Sequence, residues 1–124
     1  MKIDNTNGYD LELTSRFKKD YKRIVKRNYD LSLLKKAIED ICSDEPLDAH
    51  YVDHPLKGNL KGIRDLHIED DWVLEYVKDK KNIVLTLMRT GTHQDLFGDS
   101  ADIRYPHLKH ILDYKNEHPE LFGE

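Results

Sequence analysis

Three of the seven histidines in this 124-residue chain, His54, His67 and His93, share one stretch with Asp71, Trp72, Arg89 and Phe97. Histidine exchanges a proton near neutrality, with an ordinary pKa of about 6.5. Two of them in one place can act as base and acid of the same reaction. Arginine adds a planar, permanently charged fork that fits phosphate oxygens. An aromatic ring can stack a splayed base, a contact worth about 1–3 kcal/mol. Such a set suits RNA cleavage without a metal. One group removes the 2′-OH proton, the freed oxygen attacks the neighbouring 3′-phosphate, a cation steadies the crowded phosphorane, and a second group protonates the departing 5′-oxygen. DNA lacks the 2′-OH and would not react.

His93 is the first choice for general acid, because it follows Arg89 by four residues at the end of the most apolar run. His54 and His67 are the candidate bases. Asp71 either orients one imidazole or shares the proton work. Phe97 is the candidate stacking ring, and Trp72 reads as a packing residue that supports the site. Three histidines and Asp71 could also ligate zinc. No HExxH or CxxC spacing accompanies them, so neither a metal nor a cofactor is expected. His107, His110 and His118 read as surface residues of the C-terminal segment. Cys42, the single cysteine, sits among apolar helical positions and reads as an inert buried thiol. One cysteine excludes an internal disulfide and fits a reducing cytoplasm.

Convergence of these residues requires a particular order of elements. Tyr9 to Leu13 alternates apolar and acidic residues like a short strand. Thr14 or Ser15 can cap the helix that follows, in which Phe17, Tyr21 and Ile24 share one face. Asp30 can cap a second helix over Leu31–Cys42, with Leu31, Leu34, Ile38 and Ile41 as its apolar stripe. Ser43 to Pro55, with two prolines, reads as a loop. Strands are expected over Ile63–Ile68, Trp72–Val77 and Ile83–Arg89, and one helical turn over His93–Phe97. The order β-α-α-β-β-β predicts an α+β fold, a small antiparallel β-sheet meander with an N-terminal helical hairpin packed on it. Neighbouring strands lie about 4.8 Å apart, so the ends carrying His67, Asp71 and Arg89 can meet in one concave region.

Residues 1–98 form the expected domain. Residues 99–124 read as a C-terminal extension, helical over Tyr105–Tyr114, with Leu108, Ile111 and Leu112 on its apolar side. No apolar run approaches the roughly 20 residues needed to span a bilayer, so no membrane is expected. The net charge of −4 conceals a basic first helix. Arg16, Lys18, Lys19, Lys22, Arg23, Lys26 and Arg27 stand there against Asp20 alone, a local charge of +6. Such a patch can bind RNA phosphates even on an acidic chain.

The segments HPLKGNLKGIRDLHIEDDWVLEY and RTGTHQDLFG resemble the YafQ branch of the RelE/ParE superfamily, small bacterial toxins of type II toxin–antitoxin systems. The resemblance covers about residues 9–98 and implies a RelE-like fold. It also implies a ribosome-dependent endoribonuclease that cuts mRNA in the decoding site and is silenced by a cognate antitoxin protein. By that resemblance His54, His67, Asp71, Trp72, Arg89, His93 and Phe97 all fall on functional positions, none substituted. A sibling group in the superfamily inhibits DNA gyrase without cutting RNA and supplies the alternative reading. The extension after Gly98 has no counterpart in the resemblance.

Overall fold

The computed structural model describes residues 3–97, so the expected helix at Tyr105–Tyr114 and the extension 99–124 lie outside the described residues. The elements run β1 (Asp10–Leu13), α1 (Ser15–Lys26), α2 (Leu31–Cys42), β2 (His54–Pro55), β3 (Arg64–Glu69), β4 (Trp72–Asp79), β5 (Val84–Gly91) and α3 (His93–Phe97). They build one five-stranded sheet in the order β1-β5-β4-β3-β2. The antiparallel meander of β3, β4 and β5 is present as expected. Two features depart from it. The first strand pairs with β5 in parallel, because the helical hairpin carries the chain across the sheet before the meander begins. His54 and Pro55, expected within a loop, form a two-residue edge strand against β3, a position where proline's missing N–H does no harm.

Local chemistry sets both helix starts. The Thr14 hydroxyl accepts from the Phe17 backbone N–H at 3.0 Å, and the Asp30 carboxylate accepts from Ser32 N–H at 3.0 Å. Both satisfy donors that have no partner inside the helix. The second helix buries Leu34, Ala37, Ile38, Ile41 and Cys42, while Leu31 is only half-buried. These meet Phe17 and Ile24 of α1 and Leu66, Leu74, Tyr76, Leu85 and Leu87 from one face of the sheet. Burial pushes the Cys42 thiol up to about 11, which leaves it inert as expected.

Residues alternate across strands, so Ile63, Asp65 and His67 point to the opposite face. Leu60, Ile63, Val77 and Met88 form a second, smaller core there, with Leu56 packed against it. The chain between β2 and β3 thus covers part of the face that the helices leave open.

The first helix buries something that its apolar pattern did not announce. Asp20 is 1% exposed and takes the place expected of Tyr21, which is only half-buried. Its partner is Arg89, 2% exposed, whose Nε donates to Asp20 Oδ2 at 2.6 Å and Nη2 to Oδ1 at 3.0 Å. The Thr90 backbone N–H and Arg23 Nη2 donate to the same carboxylate, at 3.2 and 2.8 Å. This two-pronged pair fixes α1 to the end of β5. Removing one member of a buried pair leaves the other charge stranded, at about 3–5 kcal/mol. Arg89→Ala is therefore expected to lower the denaturant midpoint by an equivalent amount, while a mid-helix surface change such as Lys36→Gln moves it by less than about 0.5 kcal/mol. Urea titration followed by circular dichroism checks both.

Candidate functional site

The histidines expected to converge do so. His67 lies between the other two, its ring centroid 6.1 Å from His54 and 5.2 Å from His93, the latter in an edge-to-face arrangement. Each reaches the cluster from a different element, His54 from edge strand β2, His67 from β3 and His93 from the first position of α3.

The backbone just before β2 sets the orientation of His54. Val52 adopts φ 49°, a left-handed conformation that is costly for a β-branched residue. Its carbonyl accepts from His54 Nδ1 at 2.7 Å. A carbonyl only accepts, so Nδ1 carries the proton and Nε2 is free for chemistry. That Nε2 stands 3.9 Å from Asp65 Oδ2, and His54 and Asp65 are register partners across β2 and β3.

Asp71 orients His93. Its Oδ1 accepts both from the His93 backbone N–H at 3.1 Å and from Nδ1 at 2.7 Å. The turn between β3 and β4 therefore holds α3 at its first residue and fixes the orientation of the His93 ring. Hydrogen bonding from His93, by side chain first and backbone second, holds the Asp71 carboxyl below the usual carboxylate range. His67 moves the other way. Desolvation, followed by the neighbouring charges of His93 and His54, lowers its pKa and favours a neutral imidazole.

Arg89, expected as a phosphate clamp, is buried, with Nε and Nη2 turned onto Asp20 and Nη1 without a hydrogen-bond partner. A strongly apolar strand places its last charged side chain against the helix that crosses it, a long-range outcome that spacing could not show. Trp72 is a packing residue, as expected. It is 3% exposed, its ring meets Tyr29 edge to face at 4.9 Å, and Nε1 donates to Thr90 Oγ1 at 2.9 Å. Phe97 is the last residue of α3.

The basic helix divides. Lys18, Lys19, Lys22 and Lys26 are exposed and Arg16 is half-buried. Arg23, half-buried, and Arg27, exposed, are both paired with Asp95, at 3.1 Å to Oδ1 and 2.7 Å to Oδ2 respectively.

Sequence reasoning missed Asp65 and Glu75 as site-associated residues. Both are buried and are register partners across β3 and β4, beneath the histidines. The available signal was an aspartate two residues before His67 on one strand face, and a glutamate inside the apolar run WVLEYV. Among the described residues, no three His, Cys, Asp or Glu side chains are grouped to hold a metal ion.

Comparison with known proteins places the chain in a family. The pattern of the bacterial YafQ toxins of type II toxin–antitoxin systems matches residues 9–98. The mRNA interferase toxin YafQ of Escherichia coli K12 is 43% identical over 90 residues, covering 72% of this chain and 96% of that protein. The crystal structure of the Escherichia coli DinJ–YafQ toxin–antitoxin complex contains a chain with 41% identity and a TM-score of 0.67, covering 73% of this chain and 99% of that one. A metal-bound toxin from Helicobacter pylori has 40% identity and a TM-score of 0.67, covering 72% and 99%.

Burial, then the charge of Glu75, push the Asp65 carboxyl up to about 6 against the pull of His54 and His93. A folded-state value above the unfolded 3.8 means the native protein holds this proton more tightly. The corresponding stability, about 3 kcal/mol, is present below the unfolded value and lost as pH rises through about 6. Asp65→Asn keeps the shape without the charge. It is expected to raise the melting temperature at pH 8 and to change it far less at pH 4, measured by calorimetry. An equal change at both pH values would contradict a buried, proton-holding Asp65.

Proposed function

The chain belongs to the YafQ family of bacterial toxins from type II toxin–antitoxin systems and is an endoribonuclease, and we propose that it cleaves mRNA on the translating ribosome by metal-independent acid–base catalysis. The observation that carries this reading is the histidine triad itself, with His67 between His54 and His93 and Asp71 fastened to His93. Its relatives supply the substrate class, since the Escherichia coli proteins of similar sequence are named mRNA interferases.

Roles follow from proton placement. His93 donates Nδ1–H to Asp71, so the proton it delivers to the departing 5′-oxygen sits on Nε2. His67, whose neutral form is favoured, and His54, whose Nε2 is free, are the two groups able to take the 2′-OH proton. Attack of the deprotonated 2′-oxygen on phosphorus and loss of the 5′-oxygen leave a 2′,3′-cyclic phosphate and a 5′-OH. The negative charge that builds on the phosphorane is met by the imidazoles that carry a proton and by Arg89, whose Nη1 is the guanidinium nitrogen not bonded to Asp20. Phe97 stacks a base of the mRNA.

Docking on ribosomal RNA falls to Arg16, Lys18, Lys19, Lys22 and Lys26, with Arg23 and Arg27 contributing charge from their pairs with Asp95. A cognate antitoxin protein silences the enzyme by covering the histidine cluster, the basic face, or both. A toxin–antitoxin complex exists for the Escherichia coli DinJ–YafQ pair. The enzyme acts in the cytoplasm, and no described helix is long and apolar enough to cross a membrane.

Purified ribosomes translating a defined message, with mapping of the mRNA ends, test the reading. In-frame cuts with cyclic-phosphate termini are expected, undiminished after the protein has been stripped of metal by EDTA. Activity lost on stripping, or 5′-phosphate products, would replace the mechanism with metal-dependent hydrolysis. Intact mRNA with stalled gyrase would replace the function. His93→Ala is expected to lose about 10²–10⁴-fold in cleavage rate while still binding ribosomes. Binding itself is expected to weaken steeply between 50 and 200 mM salt in the manner of phosphate contacts (on the order of a tenfold loss or more). Joint replacement of Lys18, Lys19, Lys22 and Lys26 by glutamine is expected to flatten that dependence in a filter-binding assay.

A further inference from the structure

The helix that carries His93 has five residues, too few to hold itself together. Something else must fix its position. Asp71 holds its first residue, as described above. At the other side of the same turn stands Asp95, which sequence reasoning gave no role.

Asp95 and Thr92 cap the helix reciprocally. The Asp95 backbone N–H donates to Thr92 Oγ1 at 3.0 Å, and the Thr92 backbone N–H donates to Asp95 Oδ2 at 2.9 Å. This is a capping box, which satisfies two end donors at once. Two arginines of α1 grip the same carboxylate. Arg27 Nη1 donates to Oδ2 at 2.7 Å and Nη2 to Oδ1 at 3.3 Å, while Arg23 Nη1 lies 3.1 Å from Oδ1. Arg23 in turn reaches Asp20, the partner of Arg89. Gly91 completes the seat, with φ +151°. A Cβ there would stand 2.9 Å from Asp95 Oδ2 and 3.2 Å from Leu96 Cδ1. Leu96 is fully buried beneath. Burial alone would raise the Asp95 carboxyl, but the hydrogen bonds from Arg27 and Thr92 and the charge of Arg23 hold it well below the usual carboxylate range. It remains a carboxylate across the working pH range, so the clamp stays set.

We propose that Asp95 is a positioning residue for His93, a buckle through which the basic helix α1 holds the catalytic turn in register with His67 and His54. The proposal rests on the reading of His93 as general acid. It also assigns Arg23 and Arg27 a second duty, distinct from that of the exposed lysines beside them. The lysines meet phosphate, whereas the arginines hold Asp95. A displacement of His93 by about 1 Å is enough to cost on the order of a hundredfold in rate, so the buckle acts on turnover and not on docking.

The experiment compares Asp95→Asn, Asp95→Glu and Arg27→Gln in the full chain, below the melting temperature of each. Asp95→Asn is expected to lower kcat for ribosome-bound mRNA by about 10- to 100-fold with ribosome affinity within about twofold of the parent. Asp95→Glu is expected to recover most of the loss, because glutamate at this helix position also completes a capping box. Arg27→Gln removes one limb and is expected to give a smaller fall in kcat, which keeps the proposal testable if Asp95→Asn does not fold. Imidazole ¹H–¹⁵N spectra of the free protein give a readout that needs no ribosome. The His93 Nδ1–H resonance, hydrogen-bonded to Asp71, is expected to broaden or move in Asp95→Asn. A folded Asp95→Asn or Arg27→Gln with unchanged kcat and an unchanged His93 resonance would overturn the proposal. So would, in Asp95→Asn, a loss carried by ribosome affinity at constant kcat. If the parent cuts no RNA at all, the ring spectrum still decides whether Asp95 positions His93, so failure of the buckle and failure of the proposed reaction are separable.

Discussion

A charge taken out of water must be paired where it is buried, and the pairing of Asp20 with Arg89 dictates much of this molecule. It joins the middle of α1 to the end of β5, and both the helix and the strand are placed by it. Arg23 shares Asp20 and passes the connection on to Asp95, so the same chain of charges reaches α3. The first helix is consequently two-sided in its basic residues as well as in its apolar ones. Arg23 and Arg27, with planar forks suited to carboxylates, bind Asp20 and Asp95 and hold the structure together. Lysines, strongly hydrated point charges on flexible stems, face water. A helix that looks uniformly basic in sequence is divided by chemistry into a structural half and an interaction half.

Local signals made most of the fold legible. Thr14 and Asp30 cap the helices, the stripe of α2 faces the sheet, and the strands of the meander occur where alternation and apolar runs put them, shifted at their ends by one or two residues. The histidine cluster was legible for the same reason, since strand ends next to short turns converge in any meander. What escaped was long-range. Asp20 and Arg89 lie 69 residues apart, and nothing near either announces the other. An arginine at the end of a strand gives no sign, in sequence, that a carboxylate of the covering helix takes two of its nitrogens. Asp65 and Glu75 escaped because a carboxylate among apolar strand residues is indistinguishable, in sequence, from one at the solvent face. The parallel pairing of β1 escaped because alternation specifies a strand and not its neighbour.

The sheet separates stability from chemistry. One face carries the helical hairpin and the larger core. The opposite face carries the smaller core, the buried pair Asp65 and Glu75, and the histidines above them. That arrangement places titratable groups on rigid strands, where their separation is set by sheet spacing and register, and leaves their outer side open to a polymer substrate. It also creates unequal environments for three identical side chains. His93 has a carboxylate on Nδ1, His54 has a carbonyl on Nδ1, and His67 lies between two other imidazoles. One acid and one base can emerge from chemically equal histidines because their partners differ.

The remaining constraint concerns α3. As the proposed general acid His93 requires close placement, yet it rides on the shortest α-helix among the described residues. A strand could have carried it more firmly, but β5 must end where Arg89 and Thr90 turn inward to Asp20. The chain therefore leaves the sheet at Gly91, whose missing Cβ lets Asp95 and Leu96 close down on the strand end. The helix then gains its order from contacts outside itself. Asp71 comes from one turn, Arg23 and Arg27 from α1, and Leu96 is buried below. The turn that carries His93 is in this sense the meeting point of the three parts of the fold, and the position of His93 depends on all of them at once.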